Sequence, residues 1–318
     1  MGPAVEQRFL ALAKAVRRAN PWRIAAIFLS LLLLLAFRSS APSADSGDLA
    51  RRLAQLTSEV EELKQGISMP VEILNRHRES ICYIYGEYSF SGGTLPGQAL
   101  PSPIRFSGTG FVVQEGWIAT NRHVAEPWSE DAEAETLMRH GAQPHLEKLV
   151  AFFPNHPDPV ELTRATVAPD ADIAVVRFDP RRAGDLKPLP LTQHPGVPGD
   201  AVVVVGYPMG ITAMVAKSPR SVYRRLAFRR ADLNVARELA ALSLIRPSAT
   251  QGHLGDVVGD KLIYDAVTAH GGSGGPVFNY QGLVIGVNTA YLDGFSGSTL
   301  GVSVSALRPV IEKAMRER

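Results

Sequence analysis

Cysteine is almost missing: Cys82 is the single one in 318 residues. An internal disulfide and any cysteine-rich metal site are therefore excluded. Net charge is nearly missing too, at +2, so the overall balance gives no reason to expect a nucleic-acid partner. No group of His, Glu and Asp has metal-ligand spacing, and neither a metal nor an organic cofactor is expected. The apolar run at 24–37 has 14 residues, short of the roughly 20 that span a bilayer. What is present is an ordinary globular composition, 45% apolar and 20% charged, with length for one large or two small domains.

The short apolar run still reads as a membrane segment. Residues 1–23 carry Arg8, Lys14, Arg17, Arg18 and Arg23 against Glu6 alone. Trp22, Arg23 and Arg38 extend the run by reaching into the interfaces. The competing reading is a signal peptide, whose apolar region is about 7 to 15 residues long. Against cleavage, the basic region is long for a signal peptide, and the best small-residue site, Ser39-Ser40-Ala41, runs straight into Pro42. The expectation is an uncleaved transmembrane anchor at 24–38, with the basic segment 1–23 cytoplasmic and the rest outside.

Residues 39–70 hold a polar spacer and then Leu49, Leu53, Leu56, Val60, Leu63 and Ile67 at alternating steps of four and three. This heptad seam places Glu59 at g and Lys64 at e, an attractive pair between parallel chains. Fewer than three heptads suit equally a short coiled-coil stalk joining copies of the chain and a lone amphipathic helix packed on the next domain. Gly66 and Pro70 are expected to end it.

From 71 to 318 the pattern is short β-runs between turn residues. One group of six covers 81–88, 108–113, 117–119, 149–153, 160–167 and 172–178. The Pro-rich, charged linker 179–199 separates it from a second group at 201–206, 248–258, 261–267, 276–278, 283–289 and 299–304. Two sets of six predict an all-β fold of two six-stranded barrels, about 75–180 and 200–305, with a cleft between them. A helix is expected at 306–317, with Pro309 in its first turn. The insert 211–247 reads as helical and basic: Lys217 and seven arginines face Asp232 and Glu238. Val222, Leu226, Leu233, Ala236 and Ala240 share one face loosely, which suits a helix packed on the barrel; anionic lipid or an acidic partner is the other reading.

One stretch carries the chemistry. Gly271-Gly272-Ser273-Gly274-Gly275 sets a hydroxyl among four glycines ahead of the apolar run 283–287. Glycine permits backbone with φ > 0, so N–H groups beside the serine can turn outward and form an oxyanion hole. No Lys-Ser/Thr follows the glycines, as a P-loop requires. A serine nucleophile needs a base, and the base a carboxylate. His123 stands at the end of the β-run 117–119, and Asp172 abuts the apolar run 173–176, with Asp170 as the alternative acid.

Ala119-Thr120-Asn121-Arg122-His123-Val124, Asp172-Ile173-Ala174-Val175 and Gly271-Gly272-Ser273-Gly274-Gly275-Pro276 resemble the three signatures of the trypsin-like serine peptidases, in the order His, Asp, Ser. Asp265-Ala266-Val267 before the turn and Gly286-Val287-Asn288-Thr289-Ala290 after it are most similar to the bacterial HtrA (Deg) branch. The resemblance covers about 75–316. It implies a double β-barrel serine endopeptidase with His123, Asp172 and Ser273 catalytic and the N–H groups of Gly271 and Ser273 as the oxyanion hole. It also implies a primary pocket among Val267, Thr268, Asn288, Thr289, Ala290, Gly301, Val302 and Ser303. None of these is acidic, so cleavage after small-to-medium apolar residues is expected. The partners implied are a polypeptide substrate, the membrane through the N-terminal helix, and further copies of the chain through stalk or barrels. The location implied is the inner membrane, with the peptidase periplasmic or otherwise extracytoplasmic, serving protein quality control or regulated proteolysis. Two departures stand out. Gly272 occupies a place where the branch usually carries Asn or Asp, and no PDZ-like domain follows. Both leave room for an alternative, a weak or inactive scaffold that binds peptides or a protein partner.

Overall fold

The structure is a computed structural model that describes Leu29 and residues 46–92, 103–291 and 298–317. The expected anchor at 24–38 and the basic segment before it lie outside the described residues, Leu29 excepted. Among the described residues no helix is long and apolar enough to cross a membrane. The chain divides into two units, Met1–Glu62 and Leu63–Arg318. In the first, the described part besides Leu29 is the opening of a helix, α1 (Ser46–His77), on which Leu53 and Leu56 are exposed.

The second unit holds two closed barrels. The first is ordered β1 (Ile81–Ser91), β2 (Ile104–Gln114), β3 (Trp117–Thr120), β6 (Ala174–Phe178), β5 (Val160–Val167) and β4 (Gln143–Phe152). The second is ordered β10 (Pro276–Asn279), β11 (Val284–Tyr291), β12 (Thr299–Ser303), β9 (Lys261–Tyr264), β8 (Ser248–Val258) and β7 (Ala201–Gly206). The expected double six-stranded β-barrel is thus present. Side chains alternate across a strand, and here both faces are buried. Cys82 and Ile84 of β1 join Val112, Ile118, Ala151 and Val176 inside the first barrel. Their neighbours Ile81, Tyr83 and Tyr85 pack outward with Phe152 and Val175 against Val203, Val205, Tyr207 and Phe278 of the second. This double burial makes the strands read as continuous apolar runs, and the shared outer faces clamp the barrels along the cleft.

The boundaries differ where polarity hides a strand. β4 begins six residues before the apolar run, because Gln143–Lys148 pairs with the far half of β1, from Glu87 to Ser91, as a mostly exposed ribbon. On that ribbon Tyr88 and Phe90 pack against Ala134 and Leu137 of α3 (Ala132–Arg139). α1 also runs past its expected stop to His77, with Pro70 inside it. Proline costs a helix one hydrogen bond and crowds the carbonyl four residues back. Burial of Met69 and Ile73, and stacking of His77 on Phe278 at 5.2 Å, override that penalty. The C-terminal helix α7 (Val304–Arg316) starts early because Ser303 caps it, accepting from the N–H of Ser305, so Pro309 lies in its interior.

The insert forms three helices, α4 (Gly210–Ala216), α5 (Arg220–Leu226) and α6 (Leu233–Ala241). Val222, Leu226, Val235, Ala236, Leu239 and Ala240 are buried in the cluster that joins the barrels. Arg225 and Arg229 converge on Glu238.

Candidate active site

His123 belongs to the single turn α2 (Arg122–Ala125), which opens as soon as β3 leaves the first barrel. Asp172 stands two residues before β6, the partner of β3. Adjacent strands therefore bring the two together at one barrel end. The pair is tied twice: Asp172 Oδ1 accepts the backbone N–H of His123 at 3.0 Å, and Oδ2 lies 2.8 Å from His123 Nδ1. Asn121 Nδ2 donates to the Asp172 carbonyl at 2.8 Å, fixing the backbone under the carboxylate. From the second barrel, the Thr289 hydroxyl donates to Oδ2. Asp170 is exposed and stands apart from this network.

Burial opposes ionisation of Asp172, but the bond and charge of His123, the Thr289 hydroxyl and the His123 N–H outweigh it and hold the carboxyl below its usual 3.8. Burial likewise opposes the His123 imidazolium. The bond and charge of Asp172, with the charge of Glu130, prevail and raise its pKa above 6.5. Glu130 was not foreseen in the sequence: its Oε2 lies 3.6 Å from His123 Nδ1.

Ser273 sits in the turn between β9 and β10. Its Oγ donates to the Thr289 carbonyl at 2.7 Å rather than to His123. Within the turn the N–H groups of Gly272, Gly274 and Gly275 bond to Ala269, Asn288 and Gly272 carbonyls. Those of Gly271 and Ser273 have no backbone acceptor among the described residues. Gly271 has φ 89° and Gly274 φ 86°, a region that favours glycine.

What holds the turn is Thr109 of β2. Its N–H donates to the Ser273 carbonyl at 2.7 Å, and its hydroxyl donates to the Gly271 carbonyl at 2.7 Å while accepting the Tyr207 N–H at 3.0 Å. Thr120 Oγ1 bonds the Thr109 carbonyl at 2.8 Å. From below, Asn288 Nδ2 donates to the Gly272 carbonyl at 2.9 Å, and its Oδ1 accepts from Tyr264 at 2.8 Å. This bracket gives Gly272 a reason: a Cβ there would fall on Thr268 Oγ1 and within 3.0 Å of the Ala269 carbonyl. The small-residue run Ser107-Gly108-Thr109-Gly110 was the available signal for the β2 contact.

His123, Ser273, Thr268 and Thr289 line one cleft of about 560 Å³, together with Arg105, Glu130 and His270. The other residues expected around a primary pocket are placed differently. Val267 is 71% exposed, Asn288 is buried in the bracket, Gly301 pairs with Asn288, Val302 is buried, and Ser303 caps α7. Ala290 is placed by its backbone pairing with Leu300. Donor atoms of His123, Glu130 and Asp172 lie within 4.8 Å of one another, a spacing a metal ion would accept, although Nδ1 and Oδ2 are here engaged with each other.

Residues 108–287, more than half of the chain, match the family described as a trypsin-like peptidase domain. The chain belongs to this family. Among curated relatives, a Chlamydia trachomatis protein named probable periplasmic serine endoprotease DegP-like is 28% identical over 201 residues, covering 61% of this chain and 30% of the relative. Human serine protease HTRA3 is 27% identical over 190 residues, covering 58% of this chain and 33% of its own length. Both relatives carry DegP-like or HTRA names, and the chain spans about a third of their length. Among solved structures, the Yersinia pestis serine endoprotease aligns over 77% of this chain and 65% of its own, at 20% identity and a TM-score of 0.48.

Proposed function

We propose that the chain is a serine endopeptidase that cleaves polypeptides outside the cytoplasm through an acyl-enzyme. The observation that carries this reading is the half-buried Asp172–His123 pair sharing a cleft with Ser273, on a turn where two N–H groups have no backbone acceptor among the described residues. An ionised carboxylate only accepts, so Asp172 selects the tautomer with the proton on Nδ1 and leaves Nε2 as the base. Rotation of the Ser273 side chain carries its hydroxyl from the Thr289 carbonyl to that nitrogen. Oγ then attacks the peptide carbonyl while Nε2 takes its proton. The oxyanion lies against the N–H groups of Gly271 and Ser273, a contribution of about 3 kcal/mol in such sites. The C–N bond breaks as the proton passes to the leaving amine, and water hydrolyses the ester by the same route.

Of the residues read as the primary pocket, Thr268 and Thr289 line the cleft; neither is charged, which supports small-to-medium apolar side chains before the cut. The relatives' names, the basic segment 1–23 and the apolar run at 24–37 support a membrane-anchored, periplasmic peptidase, and the heptad seam supports assembly of several copies. Ser273 Oγ resting on Thr289 favours a second reading, a peptide-binding scaffold of low activity.

The deciding experiment is labelling of the full chain in lipid with a fluorophosphonate, alongside Ser273→Ala and His123→Ala. Labelling that both substitutions abolish is expected. Absence of labelling in the wild type would favour the scaffold.

A further inference from the structure

The cleft has a wall that the catalytic steps leave unused. It is built from the first barrel: Arg105 and Phe106 of β2, Val124 of α2, then Pro127 and Glu130 of the following loop. Since His123 delivers its proton to the departing amine, this wall borders the part of the substrate that follows the scissile bond. Two arginines of this region are paired with other carboxylates. Arg122 Nε bonds Glu126 at 3.0 Å, and Arg105 Nε bonds Glu87 at 3.0 Å. The neighbouring Asp131 is spent as well, its Oδ1 accepting the N–H groups of Glu133 and Ala134 at the start of α3. Glu130 meets the His123 ring at 3.6 Å, longer than a hydrogen bond, and with its side chain 60% exposed its carboxylate stays open in the cleft to a further cation. The loop beneath it is held by that cap and by Tyr88, which packs on Phe106 and Trp128.

We propose that Glu130 is a specificity-determining residue that takes a lysine or arginine side chain one or two positions after the scissile bond. This rests on the peptidase reading above and gives its substrates a second recognition element, cationic after the cut where the side chain proposed before it is apolar. A flexible substrate cation suits the site because burial and the charge of Asp172 raise the Glu130 carboxyl above its usual 4.5, and a positive group placed against it in the cleft relieves that penalty. The pair would be worth what part-exposed ion pairs are worth, about a fivefold preference.

The test uses the full chain and two quenched peptides that differ only by Lys or Gln after the cut. The ratio of their kcat/KM values is expected to be about five in the wild type, to fall to about one in Glu130→Gln, and to drop below one in Glu130→Lys. The same ratio in wild type and Glu130→Gln would overturn the proposal. Binding of both peptides to Ser273→Ala, with and without Glu130→Gln, separates the two readings. If the wild type cleaves nothing, the peptidase reading fails, while a Lys preference in binding that Glu130→Gln removes still supports Glu130; equal affinities overturn it.

Discussion

Thr109 has no part in proton transfer, yet its backbone and hydroxyl meet three of the groups that place Ser273. Thr109→Val keeps the shape and strands the Gly271 carbonyl and the Tyr207 N–H, both buried. An unpaired buried group costs about 1–3 kcal/mol. We expect urea unfolding to show a loss of that size, and kcat to fall roughly tenfold with KM little changed, since the oxyanion turn loosens. Thr109→Ser should restore both. Equal kcat in Thr109→Val would mean that the turn holds itself.

The acid limb of activity belongs to the same scale. His123 must be neutral to act as base, and its pKa is raised above 6.5 because Asp172 and Glu130 outweigh burial. The limb of the kcat/KM profile should therefore lie on the alkaline side of 6.5. Glu130→Gln removes one of the two carboxylates facing the imidazole, leaving Asp172 in place, and should move the limb to lower pH. Arg122, near Glu130, and His270, in the same cleft, are unchanged by that substitution. A limb at the same pH in both forms would show that Glu130 does not reach His123 electrostatically.

Among the elements, α1 shows how tertiary contacts override a local signal. Gly66 and Pro70 are reasonable stop residues, but Ile73 is 4% exposed and His77 stacks on Phe278, so the helix gains more by continuing than the proline takes away. Ile73→Ala should destabilise the unit Leu63–Arg318 by about 2–4 kcal/mol in denaturant unfolding. A change under about 0.5 kcal/mol would mean that this end of the helix adds little to the barrels. The basic insert follows the same logic. Its apolar face was legible as a loose stripe, but that the stripe closes the cluster between the barrels depends on where β7 and β8 emerge.

For the whole molecule, the reading of 24–38 as an uncleaved anchor makes a simple prediction. After alkaline carbonate washing, the full-length chain should stay with the membrane pellet and retain its original N-terminus. A soluble product beginning near residue 41 would establish cleavage instead. The barrels and the identities of His123, Asp172 and Ser273 as candidates could be read from residue order, because short apolar runs, the turn residues between them and the demand for glycine at positive φ act over a few neighbouring residues. Thr109 under Gly271, 162 residues apart, and Thr289 on Asp172, 117 apart, could not. Glu130 beside His123 could not either, although only seven positions separate them. Those contacts depend on strand register, on the closure of each barrel and on the packing of one barrel against the other, and such long-range geometry leaves no local trace in composition or spacing.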